Sequence, residues 1–200
     1  MTRAMILARL RALPADEQGT SVMELGLMVT VFVGMLLGLF DLGQLAYTQA
    51  VLNGAVQEAA RSSSLEVGDI DAADAMVEDI VSVVAPGAEF ETERVSYASF
   101  ADIARPERWN DENADGTCSD GESYTDENGN GQWDPDVGTD GNGGAEDVVL
   151  YSVTVTYEPL FPNPFYVGGT SDRTVRASAI KKNQPFADQA EYGSDAGTCD

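Results

Sequence analysis

The sequence predicts an α+β chain: a long N-terminal helix that crosses a membrane, a second amphipathic helix, and a small antiparallel sheet interrupted by an acidic insertion. Three observations carry this expectation. Leu25 to Phe40 is apolar apart from Thr30 and glycines. Hydrophobic residues recur at three and four between Met76 and Val84, as on one face of a helix. Between Asp147 and Tyr157 they alternate with smaller or polar residues, as in a half-buried strand. With 200 residues, the chain is long enough for one core of ordinary size plus an anchor.

The apolar run begins behind Glu24 and ends before Asp41. At about 1.5 Å per residue it reaches about 24 Å, so the span must extend to Val22 to approach a hydrocarbon core of roughly 30 Å. That extension sets Glu24 at the membrane's edge. Arg3, Arg9 and Arg11 precede the run and no basic residue follows it until Arg61, so the head is expected in the cytoplasm and the remainder on the far side. Cleavage as a secretory signal after Ala50 would require a long and partly acidic n-region. Leu45, Leu52, Val56 and Ala59 keep helical spacing beyond the membrane, which carries the helix to about residue 63.

Asp71 is positioned to cap the second helix, whose apolar positions are Met76, Val77, Ile80, Val81 and Val84, and Pro86-Gly87 stops it. Strands are expected at Phe90 to Tyr97, Asp147 to Tyr157 and Thr174 to Ile180, where Val175, Ala177 and Ala179 alternate with Thr174, Arg176 and Ser178. The organisation is therefore a leader at 1–19, a spanning and stalk helix at 20–63, and an exported domain at 64–200 with its insertion at 107–146.

The formal charge is −23, and without Arg3, Arg9, Arg11, Asp16 and Glu17 there remain 8 basic against 32 acidic residues. Such a surface repels nucleic acid and other polyanions and suits cations. There is no His, no nucleophile motif and no phosphate-cradling glycine loop, and the carboxylates cluster in a loop instead of forming an apolar-framed pair. An enzyme is not expected. Cys118 and Cys199 both lie beyond the anchor, where disulfides persist, and they allow a single intramolecular bridge.

Twelve acidic residues and no Lys or Arg lie between Asp111 and Asp147, which reads as an inserted loop and not a core element. Asp111, Asn113, Asp115, Gly116 and Glu122 follow the spacing of a calcium loop, with the Thr117 carbonyl at position 7 and Ser119 at position 9. Asp126, Asn128, Asn130, Gly131, Gln132 and Asp134 repeat that pattern, but Val137 stands at position 12, so Asp134 or Asp136 would have to close the second site. The expected cofactor is calcium, one or two ions, because hard Ca2+ takes six to eight oxygen ligands whereas Mg2+ demands tight octahedral geometry. Pro106 and the short spacer between the loops leave no room for both flanking helices of an EF-hand. Gly34 and Gly38 form a G-x3-G pair of the kind that lets another helix approach closely.

Glu24 is the fifth residue after Gly19, and the apolar run starts directly behind it: a prepilin-like cleavage pattern. Cutting there would free the Thr20 amine, which could meet a neighbour's Glu24 in low dielectric. From Gly19 to Arg61 the chain resembles the TadE-like segment of the tight-adherence (Flp) pilus system, through Gly19, Glu24, Asp41, Gly43, Tyr47 and Ala59-Ala60-Arg61. It departs from that family in having no proline within the apolar run and a polar Thr20. The resemblance implies a pilin-like fold and a minor pilin or pseudopilin made as a single-pass inner-membrane precursor. Its partners would be a prepilin peptidase, other pilin subunits and the Tad assembly machinery, in a homo- or hetero-oligomer. The alternative is an uncleaved, membrane-anchored, calcium-dependent adhesive or binding domain.

Overall fold

The computed structural model describes residues 18–63, 69–119, 121–161, 172–184, 193 and 195–199. The leader before residue 18 lies outside the described residues. The first helix, α1, runs Gln18–Ser62 without a break. Its unbroken length is permitted by the absence of any proline within it. The second, α2, runs Ile70–Ser82. The strands are β1 (Glu89–Tyr97), β2 (Ser123–Asp126), β3 (Thr139–Asp140), β4 (Val148–Tyr157), β5 (Arg173–Lys182) and β6 (Asp195–Thr198).

The chain divides into two compact units, Met1–Gln44 with Pro159–Ser171 and Leu45–Glu158 with Asp172–Asp200. The boundary falls inside α1, so the second half of the helix belongs with the sheet.

In the larger unit the main sheet is antiparallel in the order β3-β1-β4-β5. Register aligns Thr92, Val153 and Ala177 across β1, β4 and β5, and likewise Phe90, Val155 and Val175. Because side chains alternate in a strand, this register puts Tyr151, Val153, Val155, Tyr157, Val175 and Ala177 into one core. The helices close that core with Leu52, Val56 and Ala59 of α1 and Ala73, Val77 and Val81 of α2. The opposite face is polar in its middle, where Ser152 Oγ lies 2.8 Å from Ser178 Oγ and Arg176 reaches Glu93 at 3.0 Å, and apolar toward Tyr97 and Val148, which are buried.

Three details differ from the sequence reading. The cap of α2 is Asp69, not Asp71; its Oδ1 accepts the N–H groups of Asp71 and Ala72 at 3.0 and 3.2 Å. The buried stripe of α2 is Ala73-Val77-Val81, while Met76 is half-buried and Ile80 exposed. The insertion is also more than a loop: β3 joins the edge of the main sheet through Val95–Asp140 and Ser96–Thr139, β2 pairs with β6, and Tyr124 and Val137 are buried.

A half-buried polar knot joins α2 to the sheet. Arg94 grips Asp74 through two hydrogen bonds, of 2.9 and 2.6 Å, and lies 4.3 Å over the Tyr151 ring, whose hydroxyl also donates to Asp74. Burial pushes Asp74 up, but the bonds from Arg94 and Tyr151 and the Arg94 charge outweigh it and hold the carboxyl below its ordinary value. At the end of α1, the buried Lys181 ammonium donates to Ser63 O and Ser63 Oγ at 2.9 and 3.0 Å, satisfying a carbonyl left over by the helix terminus. Burial, with the Arg94 charge, pushes Lys181 down to about 8.

Candidate functional site

Two regions carry the residues singled out above. The first is the start of α1. Thr20 to Glu24 are helical and exposed, and Gly19 is part of the same helix. From Val22 to Leu42 most large apolar side chains face outward, Met23 at 74% and Leu27 at 70% exposure. Helix α1 is long and apolar enough to cross a membrane. Thr30 does not interrupt it, because its hydroxyl bonds back to Gly26 O at 2.8 Å. Gly34 is buried and Gly38 half-buried.

The second region is the acidic insertion, where the two predicted loops fold as near copies. In the first, Asp111 accepts the N–H groups of Asp115 and Gly116, Asn113 Oδ1 that of Asp115, and Asp115 Oδ1 that of Thr117. In the second, Asp126 accepts from Gly129, Asn130 and Gly131, Asn128 Oδ1 from Asn130, and Asn130 Oδ1 from Gln132. Gly116 and Gly131, at the sixth position of each loop, have φ of 80° and 81°, a left-handed conformation open to glycine at little cost. Ser119 Oγ donates to Asp115 at 3.2 Å, and Asp134 accepts the side-chain amides of Asn128 and Asn130.

The copies differ in which glutamate closes them. In the first loop Glu122 Oε1 accepts the N–H groups of Glu112 and Asn113 at 2.8 and 3.3 Å, and Oε2 accepts that of Ser119 at 3.2 Å. These are the second, third and ninth positions. In the second loop the same three positions are Glu127, Asn128 and Asp134, and their N–H groups go to Glu107, at 2.7 and 3.2 Å to Oε1 and 3.3 Å to Oε2. Glu107 is fully buried, and it precedes its loop instead of ending it. Asp136 turns elsewhere, accepting from Tyr97 Oη at 2.9 Å and Gly138 N at 3.0 Å. Burial and then this bond push the Tyr97 hydroxyl up to about 12. Glu107, and not Asp136, thus accepts from the same three positions in the second loop that Glu122 accepts from in the first.

Backbone pairing brings Glu107 there. Asn110 N bonds to Ser123 O and Thr125 N to Arg108 O, so residues 108–110 lie along β2 like a further strand and deliver Glu107 beside the start of the second loop. Trp133 Nε1 donates to the Glu107 carbonyl, and its ring meets Trp109 edge-on at 5.2 Å. Linear spacing templates place the closing acid after the loop, which is why sequence reasoning passed over Glu107. The one available signal was the unfilled twelfth position at Val137.

Cys118 and Cys199 are bonded, with Cα atoms 5.8 Å apart. The bridge lies beside two backbone bonds, Gly121 N to Cys199 O and Cys199 N to Glu122 O, so it pins the closing end of the first loop to β6. Arg105 bonds Asp102 and Glu127, and Arg108 also reaches Glu127, lining a cavity of about 240 Å³ with Ala98, Val137 and Gly193. Among the described residues no three His, Cys, Asp or Glu side chains converge as a metal centre. Asp111, Asp115, Glu122 and Asp126 instead accept N–H groups of their own loops.

No curated protein and no solved structure matches the chain. Residues 19–61 match the family model described as TadE-like protein, a segment that coincides with α1 almost end to end. Through this helical segment the chain is similar to TadE-like proteins, and the similarity covers 19–61.

Proposed function

We propose that the chain is a pseudopilin or minor pilin that takes part in Tad (Flp) pilus assembly after cleavage behind Gly19. The observation that carries this reading is the coincidence of the TadE-like segment with a continuous helix whose first half is apolar and outward-facing and whose second half packs into the core against the sheet. Such a helix serves first as a membrane anchor and then as the spine of a subunit in an assembly. Glu24, exposed at the start of the apolar run, would be costly in lipid and gains a partner when the freed Thr20 amine of a neighbouring subunit comes alongside. Catalysis has no place in this reading.

Mass spectrometry of the mature N-terminal peptide, from cells with and without a prepilin peptidase, tests it. The expected terminus is Thr20, present only with the peptidase. An intact Met1 terminus in both cells would leave the protein as a tethered binding domain.

The second part of the reading is that calcium stabilises the exported domain. Each loop offers three carboxylates, Asp111, Asp115 and Glu122 in one and Asp126, Asp134 and Glu107 in the other, with amide and carbonyl oxygens between them. An all-oxygen set with flexible spacing suits Ca2+ better than Mg2+. The ion would supply only charge neutralisation and order. Digestion of the full chain in calcium and in chelator tests this: protection of residues 111–140 by calcium is expected, and equal digestion would refute it.

A further inference from the structure

The connection between β4 and β5 does not belong to the unit that contains those strands. Pro159–Ser171 forms one compact unit with Met1–Gln44. Its described start lies on the membrane helix: the Phe161 ring is 5.3 Å from the Phe40 ring, and the Leu160 N–H donates to Gln44 Oε1 at 2.9 Å. Phe40 is the last residue of the apolar run, so this contact marks the level at which the helix leaves the hydrocarbon on the exported side. Leu160 is 58% exposed and Phe161 40%, near Leu39 and Leu42, which are also exposed.

Composition points the same way. Residues 159–171 contain no Asp, Glu, Lys or Arg, although charged residues flank them at Glu158 and Asp172 and the whole chain carries 45 charges. An acidic domain is repelled by an anionic lipid surface, so a segment that touches lipid must be uncharged and apolar. Aromatic residues favour the headgroup boundary, where an apolar ring and a hydrated backbone are both satisfied.

We propose that Leu160 and Phe161 form a second membrane contact, seated at the headgroup–acyl boundary of the leaflet from which the helix emerges. The apolar surface they extend is the lipid-facing side of the helix, which makes a bilayer, and not a soluble partner, the occupant. This inference rests on the single-span reading of α1.

The test uses the full-length chain in nanodiscs made with lipids brominated at shallow or at deep acyl positions, and three single-tryptophan additions, Phe161→Trp, Val31→Trp and Val83→Trp. The native Trp109 and Trp133 signal is subtracted with the unsubstituted protein. The added emission of F161W is expected to be blue-shifted and quenched most by the shallow bromines, that of V31W by the deep ones, and that of V83W by neither. Emission from F161W quenched no more than that from V83W, with V31W still quenched, overturns the second contact and leaves the span intact. Absence of quenching in V31W as well overturns the span itself.

Discussion

Replacing Arg94 with Met removes the knot between α2 and the sheet while keeping an unbranched, apolar stem in place. Two charge-assisted hydrogen bonds disappear, at 2.9 and 2.6 Å, together with the contact over Tyr151 at 4.3 Å. Asp74 keeps the Tyr151 and Thr92 hydroxyls as donors but loses its countercharge. Breaking a fully buried pair by removing one partner costs about 3–5 kcal/mol, and an exposed pair is worth about 0–1 kcal/mol. With side chains 11% and 21% exposed, this pair lies nearer the buried limit. We expect a loss of about 2–3 kcal/mol, which for a chain of this size lowers Tm by about 4–12 °C. Near-UV circular dichroism of the full chain in detergent, melted at neutral pH, reads this directly. A double-mutant cycle with Asp74→Asn should give a coupling of about 1–2 kcal/mol. Acid titration adds a sign: the depressed Asp74 pKa contributes stability that is present above its unfolded value of 3.8 and is lost as pH falls through the folded value, so R94M should lose less on acidification than the parent. Destabilisation below about 0.5 kcal/mol, or strict additivity in the cycle, would refute the reasoning.

Glu107→Gln and Glu122→Gln should each remove about one calcium equivalent in isothermal titration, whereas Asp136→Asn should leave the stoichiometry unchanged; a loss with D136N and none with E107Q reverses the assignment. Lys181, pushed down to about 8 by burial and the Arg94 charge, is deprotonated in the folded chain before the unfolded one as pH rises. The unfolded state therefore holds the extra proton, and stability should increase between about pH 8 and pH 10 in the parent but stay flat in Lys181→Met, as read by urea midpoints. Cys199→Ser opens a loop with a sequence separation of 81 and should cost about 4–5 kcal/mol in the chain-entropy model, part of which calcium should restore. An unchanged urea midpoint on reduction would show that β6 is held by its backbone bonds alone.

Several elements were legible because their causes are local. The apolar run behind Glu24, the three-and-four spacing before Pro86 and the strict alternation in Val149, Tyr151, Val153 and Val155 each express the geometry of one element. The calcium-type spacing from Asp111 to Glu122 is equally local, since every turn in it is made by a side chain bonding to a backbone two to five residues on. The Asp69 cap was missed because Asp69 and Asp71 have the same chemistry, and only the dihedral angles of the first turn choose between them.

By itself the sequence determined the long apolar helix, the α+β class, the two loop templates and the resemblance of residues 19–61 to TadE-like proteins. The tertiary structure alone decided that Glu107 reaches the second loop, that Asp136 serves Tyr97, that Lys181 caps α1 and that Arg94 ties α2 to β4. Each of these joins groups far apart along the chain, and their meeting depends on strand register. Pairing of residues 108–110 with β2 carries Glu107 to its loop, as the alignment of β1 with β4 carries Arg94 to Tyr151. A periodic pattern records which face of an element is buried; it does not record which partner that face will find.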